Sequence, residues 1–338
     1  MKKRFISFFL AVMTVCMSVP FSASAADAFD FSKRTESVFI RDPFVLVHDG
    51  LYYMYGTGAA QGKGYGCYVS RDLQRWAGPF NVFTADADFD GAADFWAPEC
   101  HAYNDKFYLF ATYRSGTTGH RGVSVFCADD PLGPFREITD GHITPHDRDS
   151  IDGTLYVENG VPYMVYVDEW TSTDDGVGRM AAAQMSGDLT HFVSEPKELF
   201  RADDPHWKPH KITDGPFLYR SKTGRLMMLW SNGSPEGYCV ALASTRSGIG
   251  GVWRQHLARL FVRDGKKYML DGGHGMLFTD LHGQLMLAIH SPNDGTDILT
   301  TAKFLPVTDK GYTLTLHETP TLRTALLRAV DRFLSLFV

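Results

Sequence analysis

Three aspartates stand where an apolar stretch begins and are each followed by proline or glycine: Asp42, Asp152 and Asp214. Carboxylates gathered in one cavity repel one another, so at least one pKa is raised and the group can supply an acid and a base at the same pH. The alternative is that each aspartate only caps its own loop, because Asp-Pro and Asp-Gly pairs form turns. Recurrence at one point of a repeat favours a catalytic site.

Aromatic residues lie in the segments next to these aspartates. Phe95 and Trp96 stand in one such segment, and Trp170 and Trp207 stand in two others. An aromatic face beside carboxylates suits a sugar, whose C–H face stacks while its hydroxyls form hydrogen bonds. These residues therefore predict a carbohydrate-binding cavity.

The elements that must position the aspartates form a repeat of an apolar strand, a two-residue turn and a second apolar strand. Its starts, at Asp42, Pro98, Asp152, Asp214 and Asp271, are 54 to 62 residues apart. The turns are Asp49-Gly50, Asn104-Asp105, Asn159-Gly160, Thr223-Gly224 and His282-Gly283, which are hairpin-type pairs. This period is typical of propeller blades. The sequence predicts an all-β, five-bladed β-propeller whose first strands line a central channel, so that residues at equivalent positions converge.

The two ends of the chain differ from the repeat. Residues 1–25 have a basic start, an apolar run and the small residues Ala23-Ser24-Ala25, which predict a signal peptide and a secreted or periplasmic protein. Residues 26–318 are predicted to form the propeller, leaving no integral membrane span in the mature chain. Residues 319–338 predict an amphipathic helical tail. That tail is expected to pack on its own domain, with a membrane surface as the alternative.

The composition of the chain limits the classes of partner that it is expected to bind. Once Lys2, Lys3 and Arg4 are removed, 30 basic residues face 39 acidic ones, which gives a net charge of −9 and disfavours nucleic acid. We expect a monomer that binds a carbohydrate. The cysteines of the mature chain lie in apolar runs, where buried thiols are favoured over disulfides; they are Cys67, Cys100, Cys127 and Cys239.

Five short motifs in blade order resemble glycoside hydrolase family 43 over about residues 38–305. They are Arg41-Asp42-Pro43, Trp96-Ala97-Pro98-Glu99, Ile151-Asp152-Gly153, Asp214-Gly215-Pro216 and Gly273-His274-Gly275. The resemblance implies a five-bladed fold and inverting hydrolysis of pentose-containing glycans, mainly arabinofuranosides and xylosides. It also implies that no cofactor is required.

The resemblance also implies roles for individual residues. Asp42 would be the general base, and Asp152 would tune the pKa of the acid and orient it. Asp214 stands where the family usually has a glutamic general acid. Glu236 is the nearest residue that could substitute for it, and its alternative is a solvated loop residue.

The predicted substrate contacts are Trp96, which would stack on the sugar, together with Arg41, Phe95 and His274. His274 would lie on the channel axis, where many relatives have a histidine next to a calcium ion or a water cluster. A calcium held mainly by water is therefore possible there. The alternative is a channel histidine that only forms hydrogen bonds.

Two other functions stay open. A non-catalytic glycan-binding propeller does not need the family's general acid. Because an aspartate stands at 214 in place of the usual glutamate, this alternative stays open. A fructoside hydrolase or transferase on the same fold would retain configuration, with its two carboxyl groups roughly 5–5.5 Å apart rather than the roughly 6.5–9.5 Å of inversion.

Overall fold

The computed structural model describes residues 29–293, 297–317 and 322–336, which form five β-sheets and one C-terminal helix. The predicted signal peptide lies outside the described residues. Each sheet is built from strands that are consecutive in the chain, except that β1 joins the outer edge of the first sheet. The predicted five-bladed propeller is confirmed.

Every blade is antiparallel, and its strands run outward from the channel in chain order. The first blade contains β1 (Lys33–Arg34), β2 (Arg41–His48), β3 (Leu51–Thr57), β4 (Gly64–Ser70) and β5 (Arg75–Thr84). The second contains β6 (Gly91–Tyr103), β7 (Lys106–Ser115), β8 (Arg121–Ala128) and β9 (Arg136–Glu137). The third contains β10 (Ser150–Glu158), β11 (Val161–Asp168), β12 (Arg179–Gln184) and β13 (Lys197–Arg201).

The fourth blade contains β14 (Asp214–Arg220), β15 (Leu226–Ser234), β16 (Gly237–Thr245) and β17 (Arg254–Gln255). The fifth contains β18 (Gly273–Thr279), β19 (Leu285–Ser291), β20 (Thr301–Asp309) and β21 (Leu314–Leu316). The first strands of neighbouring blades, β2, β6, β10, β14 and β18, contact one another around the ring, and β18 contacts β2. These five strands therefore line the channel.

The predicted turns join the first two strands of each blade. Asp49 and Gly50 both have positive φ (47° and 73°), and so do Asn159 and Gly160 (52° and 82°). This pairing is typical of two-residue hairpin turns whose twist matches that of the strands. Turn chemistry therefore fixes the register in which the inner strand meets its partner.

Blades are held together by apolar residues on both faces of each sheet. Between the third and fourth blades, Val165 and Val167 belong to the same buried cluster as Met228 and Trp230. The whole of β15 is buried, as expected for a strand with neighbours on both sides. The four cysteines of the described chain are free, and all but the partly buried Cys127 are fully buried.

The C-terminal helix α1 (Leu322–Leu334) lies along the outer edge of the fourth blade. The tail was expected to pack on its own domain, and the described part of it does so, through Asp331 against Arg254 and the backbone of Leu257. Across the described residues, none of the helical structure is long and apolar enough to cross a membrane.

Candidate active site

A cavity of about 410 Å³ opens where the first strands of the blades begin. It is lined by Arg41, Asp42, Thr57, Trp96, Ile151, Asp152, Glu169, Trp170, Ile212, Asp214, Tyr238, His274 and Asn293. The three predicted catalytic aspartates therefore share one cavity with three of the four predicted substrate contacts. The exception is Phe95.

A bulge at the same point of every inner strand builds this cavity. Pairing with the second strand skips two residues after Arg41, Trp96, Ile151, Asp214 and Gly273. The first skipped residue has positive φ in each blade, between 42° and 57°: Asp42, Ala97, Asp152, Gly215 and His274. A left-handed residue inside a strand is strained and turns the chain, which aims side chains into the channel.

The bulge corrects the expected equivalence of the three aspartates. Asp42 and Asp152 occupy the left-handed position, but Asp214 comes one residue earlier and matches Arg41 in the first blade. Gly215 holds the left-handed position of the fourth blade (φ 51°), and a Cβ there would approach the His274 ring within 2.8 Å. Asp214 therefore reaches the cavity from a different backbone position than the other two.

A ring of hydrogen bonds links the blades at this level. In four of the five junctions, the N–H of the left-handed residue donates to a side chain on the second strand of the preceding blade. The pairs are Ala97 to Thr57 (2.8 Å), Asp152 to Thr112 (3.0 Å), His274 to Ser231 (2.7 Å) and Asp42 to His290 (3.1 Å). The last of these joins the fifth blade to the first.

The junction between the third and fourth blades differs from the others. The acceptor position there is Val167, which pairs with Ile151 and has no polar side chain. The N–H of Gly215 donates instead to Oδ2 of Asp152, at 3.0 Å. The Asp152 carboxylate is thereby fixed to the residue next to Asp214, which is a suitable position for orienting Asp214.

Asp42 is held as a carboxylate. The Thr57 hydroxyl donates to its Oδ2 at 2.6 Å, and Nδ1 of His274 and Nδ1 of His290 each lie 3.3 Å from its Oδ1. Burial by itself would raise the pKa of Asp42, but His274, His290 and Thr57 together outweigh burial and lower it below its usual range. Asp42 is therefore ionised at neutral pH.

The surroundings of Asp214 shift its pKa in the opposite direction, upward. Burial, and next the negative charge of Asp152, raise the pKa of Asp214 to about 7. The Tyr238 hydroxyl donates to its Oδ2 at 2.8 Å and acts against that rise. Since Oδ2 accepts from the phenol, the acidic proton of Asp214 is left to Oδ1.

Asp152 is buried, whereas Asp42 and Asp214 are half-buried. Burial, and next the charge of Asp42, raise its pKa well above the usual range, while the Gly215 N–H acts against the rise. Nδ1 of His274 lies 3.7 Å from its Oδ2. The site thus combines one low-pKa carboxylate with two raised ones, the division of roles that acid–base catalysis needs.

Trp96 is supported from behind by Arg121, whose guanidinium carbon lies 5.1 Å from the centre of the indole ring. Arg121 is itself buried and pairs with Glu169 (2.7 Å), Asp94 (3.1 Å) and Asp149 (3.3 Å). This ion-pair cluster fixes the plane of Trp96. The indole is therefore available as a rigid stacking surface.

The structure contradicts the prediction that Phe95 contacts substrate. Its ring packs against Tyr65 and Tyr113, with centroids 5.5 and 6.2 Å apart, because neighbouring strand residues point to opposite faces. Trp207 also lies elsewhere, and its ring is 5.0 Å from the guanidinium carbon of Arg259. Glu236 pairs with Arg259 at 3.0 Å in a separate depression, and that arginine helps to keep the pKa of Glu236 low despite partial burial.

Arg41 lines the cavity, and its guanidinium donates to the backbone carbonyl and side chain of Asn293. His274 is engaged by the carboxylates of Asp42 and Asp152. Within residues 29–293, 297–317 and 322–336, no group of three or more His, Cys, Asp or Glu side chains is arranged to hold a metal. The two alternatives for His274, a calcium held mainly by water and a histidine that only forms hydrogen bonds, both stay predictions.

The site also contains side chains that were not singled out in the sequence, among them Thr57, Tyr238, His290 and Asn293. Thr57 and His290 stand opposite the bulge on the second strands of the first and fifth blades, which are neighbours in the ring, and both contact Asp42. Their signal is a polar residue ending an otherwise apolar second strand. No local pattern distinguishes Tyr238 from other strand tyrosines.

Comparison with known proteins matches residues 35–313 to glycosyl hydrolases family 43, which covers most of the chain. The chain belongs to that family. An endo-arabinase structure from Bacteroides thetaiotaomicron VPI-5482 is 34% identical, with a TM-score of 0.75, and the match covers 83% of this chain and 98% of that one. This similarity confirms the fold and the family assignment together.

Two further relatives extend the comparison. An endo-1,4-beta-xylanase structure from the same organism is 27% identical, with a TM-score of 0.70 and coverage of 83% and 94%. Alpha-L-arabinofuranosidase 43 of Humicola insolens is 23% identical over 309 residues, or 85% of this chain. The chain spans only 62% of the length of that protein.

Proposed function

We propose that this family 43 glycosidase hydrolyses arabinose- or xylose-containing glycans with inversion at the anomeric carbon. The observation that carries the proposal is the pair of opposed pKa shifts in one cavity, downward at Asp42 and upward at Asp214. The names of the related arabinanase, xylanase and arabinofuranosidase support the pentose assignment.

In the proposed reaction, Asp42 accepts a proton from a water molecule as that water attacks the anomeric carbon. The bond from that carbon to the leaving oxygen breaks, and Asp214 donates the proton on Oδ1 to this oxygen. The products are a sugar of inverted configuration and a free hydroxyl on the rest of the glycan. Asp152 keeps the pKa of Asp214 high, and Trp96 stacks on the sugar ring.

Turnover of aryl α-L-arabinofuranoside and aryl β-D-xyloside, followed by arabinan and arabinoxylan, tests the substrate class. Proton NMR of the first-formed product reads the configuration, and a retained product would refute the two-carboxylate inverting mechanism. Asp42→Asn should lose about 10²–10⁴-fold in kcat, the usual contribution of general base catalysis. Asp309→Asn, which removes a hydrogen-bonded carboxylate from the fifth blade, is the matched control.

The identity of the acid is tested by leaving-group dependence. Asp214→Asn should lose most of its rate on a natural glycan but much less on an aryl glycoside whose acidic phenol leaves without protonation. Glu236→Gln should behave like the unaltered protein on both substrates, because Glu236 is outside the cavity and paired with Arg259. The reverse pattern would assign the acid to Glu236. If no glycan is turned over while binding is retained, the glycan-binding alternative holds.

We also propose that the protein is exported, which the predicted signal peptide at residues 1–25 supports. The N-terminal sequence of protein recovered from the medium or periplasm tests this. Recovery only inside the cell with an intact N-terminus would refute it.

A further inference from the structure

Helix α1 is attached to the propeller by its polar residues. Asp331 is fully buried, and its carboxylate accepts hydrogen bonds from the N–H groups of Leu257 (3.0 Å) and Ala258 (3.1 Å) and pairs with Arg254 (2.8 Å). One turn later, the carbonyl of Ser335 accepts a hydrogen bond from Arg225 at 2.6 Å. The docked face of the helix is thus its polar face.

The opposite face is apolar and exposed. Leu322 is 89% exposed, Leu326 63%, Phe333 60% and, just beyond the helix, Leu336 64%. At 100° per residue, positions 322, 326 and 333 project on the side away from Asp331. A surface helix normally turns such a stripe toward the core, so a stripe directed outward marks an interaction surface.

Positive charge borders the exposed stripe. Arg323 and Arg332 are exposed and project on opposite sides of the helix, between the docked and apolar faces. The single acidic residue of α1, Asp331, is buried beneath it. In a chain with a net charge of −6, the exposed surface of this helix therefore presents only arginines and apolar side chains.

We propose that α1 binds the surface of an anionic phospholipid bilayer. The leucines would enter the boundary of the acyl chains, and the flanking arginines would contact lipid phosphates, as in interfacial amphipathic helices. A helix of 13 residues is about 20 Å long, so it lies on the bilayer and does not span it. A second copy of this chain is less suited to the exposed face, because two such faces packed together would bring arginines against arginines.

Sedimentation with vesicles tests the proposal. The full chain should sediment with phosphatidylcholine vesicles that contain about 30% phosphatidylglycerol, and much less with phosphatidylcholine alone, with binding weakened by salt. Leu322→Ser with Leu326→Ser should lower the partition coefficient at least tenfold. Arg323→Gln should lower it about fivefold, the usual effect of one basic residue near an anionic surface.

Val193→Ser, at a valine 51% exposed in the third blade, and Arg75→Gln, at an exposed arginine of the first blade, are the matched controls and should bind like the unaltered chain. All variants carry the same N-terminal segment, so a difference between them reports on α1. Equal binding by helix variants and controls would overturn the proposal, as would equal binding to both lipid mixtures. A dimer in analytical ultracentrifugation that Leu326→Ser dissociates, without vesicle binding, would assign the face to a second copy instead.

Discussion

The hydrogen bond from Tyr238 to Asp214 should set the alkaline limit of activity. The phenol lies 2.8 Å from Oδ2 of this half-buried carboxyl group and stabilises its ionised form, which opposes the upward pKa shift caused by burial and Asp152. Tyr238→Phe removes this donor and leaves the aromatic ring in place. The pKa of Asp214 should therefore rise above its present value of about 7.

The size of the shift follows from the strength of the bond. A hydrogen bond to a charged group contributes about 1.5–3 kcal/mol, and one pKa unit corresponds to about 1.4 kcal/mol, so the expected rise is about 1–2 units. The acid must be protonated to act, so kcat/KM falls as the pH rises through the pKa of Asp214. In Tyr238→Phe, this alkaline limb should move to higher pH by the same amount.

The assay is kcat/KM against pH on a glycan substrate, which reports the ionisation of the free protein. Tyr219→Phe is the matched control, since Tyr219 donates to Asp309 at 3.0 Å in a contact outside the cavity. Its profile should match that of the unaltered chain. An alkaline limb in Tyr238→Phe that stays in place or moves to lower pH would refute the assignment of Asp214 as the acid that Tyr238 controls.

Three further predictions concern stability and metal. Because the pKa of Asp214 is raised, its ionisation lowers the free energy of unfolding as the pH rises from about 4 through 7. Asp214→Asn should therefore be more stable than the unaltered chain by about 2–4 kcal/mol at pH 8 and equal to it at pH 4, as measured by urea unfolding. Arg121→Met should lower the free energy of unfolding by about 3–5 kcal/mol, because it leaves the buried Glu169 and Asp149 without the arginine that pairs with them, while Asp94 keeps Arg114; Arg148→Met, at a half-buried pair, should lower it much less. Chelation by EDTA should leave turnover unchanged, and a loss restored by calcium alone would indicate an ion at His274.

The sequence by itself determined the repeat and therefore the fold. Alternation of apolar strands with hairpin-type turns depends on neighbouring residues, and five copies of such a unit can bury their faces only by packing on one another. The same repeat predicted that Asp42, Asp152 and Asp214 share one cavity, because the inner strands of all blades begin at the same end of the channel. Local patterns were sufficient for both conclusions.

Tertiary structure decided how the site is assembled. The bulge of β14 places Asp214 one residue ahead of the position that Asp42 holds in the first blade, and it places Gly215 against His274 of the neighbouring blade. Tyr238 reaches Asp214 from the third strand of the same blade, and His290 reaches Asp42 from the second strand of the fifth blade, at separations of 24 and 248 residues. The sequence of one strand does not show which side chains a distant strand places beside it in the folded propeller.

Helix α1 shows most clearly which features the sequence determined and which the tertiary structure decided. Periodicity in the sequence established that residues 322–334 are amphipathic, and it could not state which face would dock. The docked face is the polar one, because the fourth blade offers the Arg254 guanidinium and two backbone N–H groups that Asp331 can satisfy together. Buried polar groups require partners of defined geometry, whereas apolar side chains accept any dry surface, so only the assembled blade decides the orientation.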